Sequence, residues 1–314
     1  MPAAVAAVAL AVLLSLLGAG CRAQDAPAGP EPSTAAAAPA SPSPSSPPAP
    51  VPGDAASAAA RAEGGPPAVA ADAGGLAAQL AAAEQRIRDE SVPLAALAGD
   101  GHLQQSAYRA LARNPGWRDE VLARLPAHLR APARANANAV ADLVAMITPL
   151  PAGSRPGWRI VAPAPAHELL GFYREAGAEY GIGWEYLAAI HLVETRLGRI
   201  RGTSSAGAQG PMQFMPGTWA QYGEGDVDDD RDAIRAAARY LKAMGGPADM
   251  DRALRRYNDS ARYVRAIQAH AAVLRAEPST YRGYYHWQVH YLTQEGDLWL
   301  PEGYPERPAV VPPA

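Results

Sequence analysis

Cysteine, lysine and phenylalanine are nearly absent from this sequence. Its 314 residues contain one cysteine, two phenylalanines and a single lysine, Lys242, among 28 basic residues. One cysteine excludes a disulfide framework and a cysteine-based zinc site. The net charge of −3, with no basic cluster, argues against a protein that binds nucleic acid through its phosphates. Aromatic residues make up only 7%, so large side chains for a core are few.

Glycine and proline are abundant instead. The chain has 29 glycines and 31 prolines, together about 19% of its residues, whereas their ordinary joint share is about 12%. Residues 22–74 consist mainly of Ala, Pro, Ser and Gly. Such a segment buries too little surface to offset its ordering entropy. We therefore predict a disordered linker over residues 21–74, in which proline clusters favour an extended spacer. A passive low-complexity leader would have the same structure.

The amino terminus predicts export. Residues 3–17 are apolar except for Ser15, a run too short to span a hydrocarbon core of about 30 Å. Small residues follow at 18–20, which predicts a signal peptide over residues 1–20. Cys21 comes next, and the arrangement resembles a bacterial lipobox, although Gly18 replaces the usual Leu and no basic residue precedes the run. The resemblance implies lipidation of Cys21 and a membrane anchor; an ordinary cleaved signal peptide is the alternative.

The rest of the chain has helical periodicity. Apolar residues recur at helical spacing in residues 76–87 and 140–147, which predicts a small helical region over residues 75–155 with no cluster of chemically active side chains. Prolines and glycines at 151–157 then indicate a boundary. A second helical block, residues 156–277, and an aromatic-rich tail, residues 278–314, follow. The predicted fold class is mainly α.

One predicted helix, residues 183–197, carries a candidate catalytic acid. Its apolar stripe leads directly to Glu194, so the carboxyl group is partly desolvated and its pKa is raised, as a general acid near neutral pH requires. Glu185 cannot be a partner, because nine residues at about 100° each place the two on opposite faces. The helix therefore offers one carboxylate rather than the pair that most glycosidases use.

Three motifs resemble the soluble lytic transglycosylase (SLT) domain, a family with a lysozyme-like, mainly helical fold. The first is GIGWEYLAAIHLVETR (residues 181–196), where the family has a Glu-Ser pair and this chain has Glu194 and Thr195. The second, SSAGAQGPMQFMP (residues 204–216), is similar to Gly-Leu-Met-Gln, a hydrophobic residue and Met-Pro, with Pro211 in place of Leu. The third is ALRRYN (residues 253–258). The resemblance covers about residues 165–275.

This resemblance implies the reaction. Lytic transglycosylases cut the bond between N-acetylmuramic acid and N-acetylglucosamine in peptidoglycan strands without water. The glutamate protonates the leaving oxygen, the substrate's acetamido group stabilises the cationic centre, and the glutamate then takes a proton from the muramoyl 6-hydroxyl to close a 1,6-anhydro ring. One protein carboxylate is sufficient, as in other substrate-assisted enzymes. The resemblance implies no cofactor, and we expect a monomer.

Glu194 is the predicted catalytic residue, and four others are predicted to bind substrate by resemblance. Ser204 and Gln213 would hold the acetamido group and neighbouring sugar atoms, or else serve as polar loop and cap groups. Met212 would line the groove or pack in the core. Tyr257 would donate its hydroxyl toward Glu194, the alternative being a buried aromatic with a satisfied hydroxyl.

Two further features have competing interpretations. The acidic run at 226–232 alternates like the first calcium ligands of an EF-hand, but Arg231 and Ala237 stand where that loop needs Gly and Glu. We therefore predict no metal, and a helix cap at Asp230 or Asp232. The aromatic residues of the tail either extend a glycan groove or anchor a segment that folds back over the catalytic domain, which we favour.

Two other functions compete with the transglycosylase. A hydrolytic muramidase would need an aspartate or an ordered water opposite Glu194, and the sequence does not exclude a loop aspartate. A non-catalytic wall-binding lipoprotein could keep the fold without activity. Loss of Glu194 or Tyr257 would mark that class, and both residues are present.

Overall fold

The computed structural model describes residues 65–313 of the chain. Cys21, the predicted signal peptide and residues 21–64 of the predicted linker lie outside the described residues. The helices are α1 (Ala73–Arg88), α2 (Ala98–Arg113), α3 (Arg118–Arg124), α4 (Ala127–Val144), α5 (Ala166–Tyr180), α6 (Trp184–Thr195), α7 (Pro216–Tyr222), α8 (Asp230–Ala243), α9 (Met250–Tyr257), α10 (Ala261–Ala276) and α11 (Tyr281–Tyr284). The strands are β1 (Arg159–Ile160), β2 (Ile200–Arg201), β3 (Val289–Thr293) and β4 (Gly296–Leu300). This confirms the mainly α prediction.

Helix α6 lies at the centre of the molecule. Every side chain from Leu187 to Thr195 is buried, so this helix is covered on all sides rather than along one stripe. It packs against α5, α8 and α10. No helix within residues 65–313 combines the length and apolar character that a membrane span requires.

One hydrophobic core runs from Ala73 to Trp287. Helix α4 packs along α10, and the contact is supported at its edge by Asp142, which accepts hydrogen bonds from Arg262 (3.0 Å) and Arg265 (2.7 and 2.8 Å). The helices on both sides of the predicted boundary at 155/156 therefore share this core, and the boundary itself stays a prediction.

The tail forms an antiparallel hairpin, β3–β4, that the sequence analysis did not predict. The hairpin and the residues just before it contact one face of α2. Gln105 exchanges two hydrogen bonds with the backbone of Gln288 (2.8 and 2.7 Å). Further along α2, Arg109 pairs with Asp297 on β4. The hairpin is thus attached to the amino-terminal helices as well as to the rest of the core.

The aromatic rings of the tail are largely buried. Tyr281, Tyr284 and Trp287 belong to the main core, and Trp299 and Tyr304 are also buried. Rings that are covered by protein cannot stack on a sugar. This burial favours the anchoring interpretation of the tail over an extended glycan groove.

The contact between α2 and the tail generates a stability prediction. A Cβ atom at Gly101 would lie 2.6 Å from His286 Cβ and 2.7 Å from the carbonyl oxygen of Gly283, whereas one at Gly99, on the same helix, meets nothing within 4 Å. Gly101→Ala should therefore lower the free energy of unfolding by about 1–3 kcal/mol. Gly99→Ala should raise it by up to about 1 kcal/mol, because alanine favours the helix.

Urea denaturation of the two variants beside wild type measures both effects. Equal stability of the two variants would show that the tail does not pack on α2 as described.

Candidate active site

The catalytic-helix candidate, α6, ends in a left-handed turn. Arg196 and Leu197 have φ of 56° and 60°, and Gly198 continues with 79°. The predicted helix over residues 183–197 therefore stops two residues early, at Thr195. Gln213 is the third non-glycine residue with positive φ among the residues described. Such backbone strain persists only where surrounding contacts hold it, and it is often found at functional sites.

Thr195 attaches the end of α6 to the second motif. Its hydroxyl donates to the carbonyl oxygen of Pro211 (2.6 Å) and accepts from the N–H of Gly198 (3.1 Å). The first bond fixes the motif loop against the helix, and the second stabilises the left-handed turn. Thr195 thus uses the hydroxyl that it shares with the serine of the family motif.

The second motif is a tight turn from Gln209 to Phe214, whose backbones pair in both directions (2.9 and 2.8 Å). A Cβ atom at Gly210 would lie 1.9 Å from the carbonyl oxygen of Val227, and φ is 70°, so only glycine fits there. Gln213 bonds back to the carbonyl oxygen of Gly210 through its backbone N–H (3.0 Å) and through Nε2 (2.9 Å). These bonds leave Gln213 Oε1 buried, with no hydrogen-bond partner in the described part of the chain.

Glu194 is fully buried at the junction of α6, the second motif and α10. Its Oε1 accepts a hydrogen bond from the Tyr263 hydroxyl (2.8 Å). Its Oε2 is also buried and has no protein partner within residues 65–313. Burial raises the pKa of this carboxyl group to about 8, although the Tyr263 hydrogen bond and the positive charge of Arg196 act in the opposite direction.

The hydroxyl beside Glu194 is not the predicted one. Tyr257 was expected to donate toward Glu194, but it donates to the carbonyl oxygen of Met212 (2.7 Å). Its ring stacks on that of Tyr263, with centroids 6.5 Å apart and planes 8° apart. Tyr263 therefore occupies the position predicted for Tyr257. The prediction that the Tyr257 hydroxyl donates toward Glu194 is wrong. Tyr263 lies at core spacing on α10, so its sequence pattern resembles that of an ordinary buried aromatic.

The other predicted substrate-binding residues are placed as follows. Met212 and Phe214 are buried in the core, and Met212 contributes its carbonyl oxygen to the hydrogen bond from Tyr257. The hydroxyl oxygen of Ser204 accepts from the N–H groups of Ala206 (3.2 Å) and Ala208 (2.9 Å). Ser204 therefore shapes its own loop, and its O–H remains as a possible donor to a ligand.

His191 makes its polar contacts with residues other than Glu194. Its Nδ1 lies 2.8 Å from the Tyr173 hydroxyl, and its Nε2 lies 3.5 Å from Asp230 Oδ1. Burial lowers the pKa of His191 to about 3, so the imidazole is neutral and serves packing. Glu185, at the other end of α6, pairs with Arg275 (2.5 Å).

The acidic run caps a helix. Asp229, rather than Asp230 or Asp232, accepts from the N–H at the start of α8 (3.0 Å). Asp232 instead accepts from the backbone of Asp226 (3.0 Å). Between residues 65 and 313, no group of three or more His, Cys, Asp or Glu side chains is arranged to hold a metal ion.

A comparison with protein families identifies the domain that contains this geometry. Residues 172–273 match the family model described as the transglycosylase SLT domain. The match spans about a third of the chain and includes Glu194, the second motif and both stacked tyrosines. No curated protein and no solved structure matches the chain.

The match confirms the family that the three sequence motifs indicated, and it implies an enzyme of the lyase type that acts on peptidoglycan outside the cytoplasm. Residues 172–273 therefore carry a transglycosylase SLT domain.

Proposed function

We propose that this protein cleaves the β-1,4 bond between N-acetylmuramic acid and N-acetylglucosamine without water, with Glu194 as its single acid and base. The product is a strand that ends in 1,6-anhydro-N-acetylmuramic acid. The observation that carries this proposal is the Glu194 carboxyl group, which is buried, has a pKa of about 8, and within residues 65–313 bonds to protein through only one of its oxygens.

The hydrogen-bond pattern supports one position for the acidic proton. Because Oε1 of Glu194 accepts from Tyr263, the acidic proton of the neutral carboxyl group belongs on Oε2. With a pKa near 8, this group is mainly protonated at neutral pH and can act as a general acid. Tyr263 therefore orients the carboxyl group and leaves Oε2 for the substrate.

The reaction then needs two proton transfers at Oε2. In the first, Oε2 gives its proton to the glycosidic oxygen, the bond from that oxygen to the muramoyl C1 breaks, and the acetamido oxygen stabilises C1. In the second, the Glu194 carboxylate takes the proton of the 6-hydroxyl, and O6 bonds to C1. Tyr263 donates to the carboxylate between these steps, which stabilises the charged form. Glu194 ends as it began.

The surroundings of Glu194 favour this route over hydrolysis. Two-carboxylate glycosidases place their acids within about 10 Å of each other. Glu185 lies nine residues earlier on α6, about 13 Å along the helix axis, and is paired with Arg275. The groups that act on the Glu194 pKa are Tyr263 and Arg196, and no described carboxylate is among them. A muramidase would need such a group, or an ordered water molecule, opposite Glu194.

Gln213 is the best-placed substrate contact. Its Oε1 is a buried acceptor without a protein partner, and an acetamido N–H is the donor that fits it. The O–H of Ser204 would contribute a second polar contact. Since Glu194 has no exposed surface, neighbouring side chains must move before a glycan reaches Oε2.

Replacement of Glu194 tests the assignment of the acid. Glu194→Gln keeps the shape of the side chain and removes the transferable proton, so release of 1,6-anhydromuropeptides from purified peptidoglycan should fall by at least about 10²–10⁴-fold. Mass analysis of the released muropeptides measures this, and circular dichroism checks the fold. Activity near the wild-type level, or loss through unfolding alone, would remove Glu194 from the mechanism.

The two stacked tyrosines give a second, matched test. Tyr263→Phe removes the only protein hydrogen bond to Glu194 among the described residues, so the maximal rate should fall by about tenfold. The alkaline limb of kcat/KM should move to higher pH, because this bond lowers the Glu194 pKa. Tyr257→Phe removes a bond to Met212 and should leave that limb in place. A shift with Tyr257→Phe but not with Tyr263→Phe would contradict the geometry.

We also propose that the protein is anchored to the membrane through lipidated Cys21. The support is the position of this single cysteine directly after the small residues that close the predicted signal peptide. Cys21→Ser should move the protein from the membrane fraction to the soluble fraction of cells. A wild-type protein that is already soluble and begins at another residue would exclude the anchor.

A further inference from the structure

A buried arginine bonds to the same last turn of α6 that carries the candidate acid. Arg196 follows Glu194 by two residues, in the left-handed turn, and its side chain is folded back over the last turn of α6. Its NH1 donates to the carbonyl oxygen of Leu192 (2.5 Å), with a longer contact to that of Val193 (3.5 Å). Its Nε is buried without a hydrogen-bond partner in the described part of the chain.

Other cationic and neutral groups face Arg196 from the surrounding elements. Arg109 of α2 repels it and lines the same crevice at the end of α6. His270 of α10 and His290 of β3 also interact with its charge. Burial lowers the pKa of both histidines, so they are neutral near pH 7.

Glu194 is the nearby acid that remains to neutralise the charge of Arg196. Asp297, on β4, is bound by both Arg109 and Arg113. The remaining titratable groups at Glu194 are Tyr263 and Tyr257, and burial raises the pKa of both, so neither is ionised near neutral pH. Among the described residues, Glu194 is the one acid that raises the pKa of Arg196, and Arg196 in turn lowers that of Glu194.

A charge in this place carries a free-energy cost that the helix end offsets only in part. The carbonyl oxygens at the C-terminus of a helix favour a cation, while burial of a guanidinium without an ionised partner is unfavourable. Burial and the charge of Arg109 lower the pKa of Arg196 to about 9. The unfavourable terms are relieved when Glu194 is ionised, which is the state between the two proton transfers.

We propose that Arg196 is a positioning residue that acts through Glu194: its fixed, buried charge stabilises the carboxylate left by the first proton transfer and so lowers the free-energy cost of that transfer. This inference rests on the proposed acid–base role of Glu194. Without the charge, the carboxylate would be less stable, so Glu194 would be a weaker acid and would protonate the leaving oxygen less readily. The charge therefore limits how far burial raises the pKa of Glu194.

The titration of Glu194 itself tests this without turnover. The carboxyl carbon of Glu194 is followed by NMR in the full-length protein labelled with ¹³C-glutamate, and Glu194→Gln assigns the resonance. Arg196→Gln keeps a donor for the helix carbonyls and removes the charge, so the Glu194 midpoint should rise by roughly one pH unit. Arg196→Lys keeps the charge and should leave the midpoint near the wild-type value.

Arg199→Gln is the matched control. Arg199 is also buried and also has an Nε without a hydrogen-bond partner among the described residues, but it donates to the carbonyl oxygen of Tyr285 and does not act on Glu194. Its loss should leave the Glu194 midpoint unchanged. An unchanged midpoint in Arg196→Gln, or an equal rise in Arg199→Gln, would overturn the proposal.

A wild-type measurement covers the case in which Arg196→Gln does not fold. The side-chain nitrogen resonances of Arg196 should shift with the same midpoint as the carboxyl carbon of Glu194, and Glu194→Gln should abolish that transition. An Arg196 signal that does not respond at this midpoint would contradict the proposal. Because neither experiment needs substrate, failure here is distinguishable from failure of the transglycosylase assignment, which the released muropeptides decide.

Discussion

Complete burial of the Glu194 carboxyl group is the constraint on which the rest of the site depends. A carboxylate that is removed from water is strongly disfavoured, so the neutral acid persists to a pH near 8. The same burial would make the carboxylate too costly as an intermediate unless other groups stabilised it. The hydroxyl of Tyr263, on α10, and the charge of Arg196, just after α6, supply this stabilisation. Acid and base functions are thus balanced at a single residue.

The second motif is held from two sides at adjacent carbonyl groups. Thr195, at the end of α6, donates to Pro211, and Tyr257, at the end of α9, donates to Met212. The next residue, Gln213, has a left-handed backbone and carries the unpartnered Oε1. Single residues with such backbones cost about 1–3 kcal/mol, and these hydrogen bonds supply the surrounding contacts that such strain requires. These hydrogen bonds hold the loop and the turn after α6 in their strained conformations, and they thereby fix the positions of Glu194 and Gln213.

The sequence was sufficient for the parts of the site that local patterns encode. Helical periodicity and the three motifs predicted the mainly α fold, the SLT family and the burial of Glu194 at the end of a helix. It was not sufficient for contacts between distant segments. Tyr257 and Tyr263 are both buried tyrosines, and only the packing of α9 against α10 decides which hydroxyl reaches Glu194. The sequence does not predict the β3–β4 hairpin, because each strand has only five residues and its aromatic side chains are equally typical of an irregular anchoring segment.

The central claim is that cleavage at Glu194 proceeds without water, and isotope labelling tests it most directly. Peptidoglycan is digested by the purified protein in water enriched in the heavy oxygen isotope, and the new muramoyl ends are examined by mass spectrometry. The account predicts anhydromuramoyl ends with no heavy oxygen, because O6 of the same sugar closes the ring. Reducing muramoyl ends that carry the heavy isotope would show that water attacks C1, and the protein would then be a muramidase.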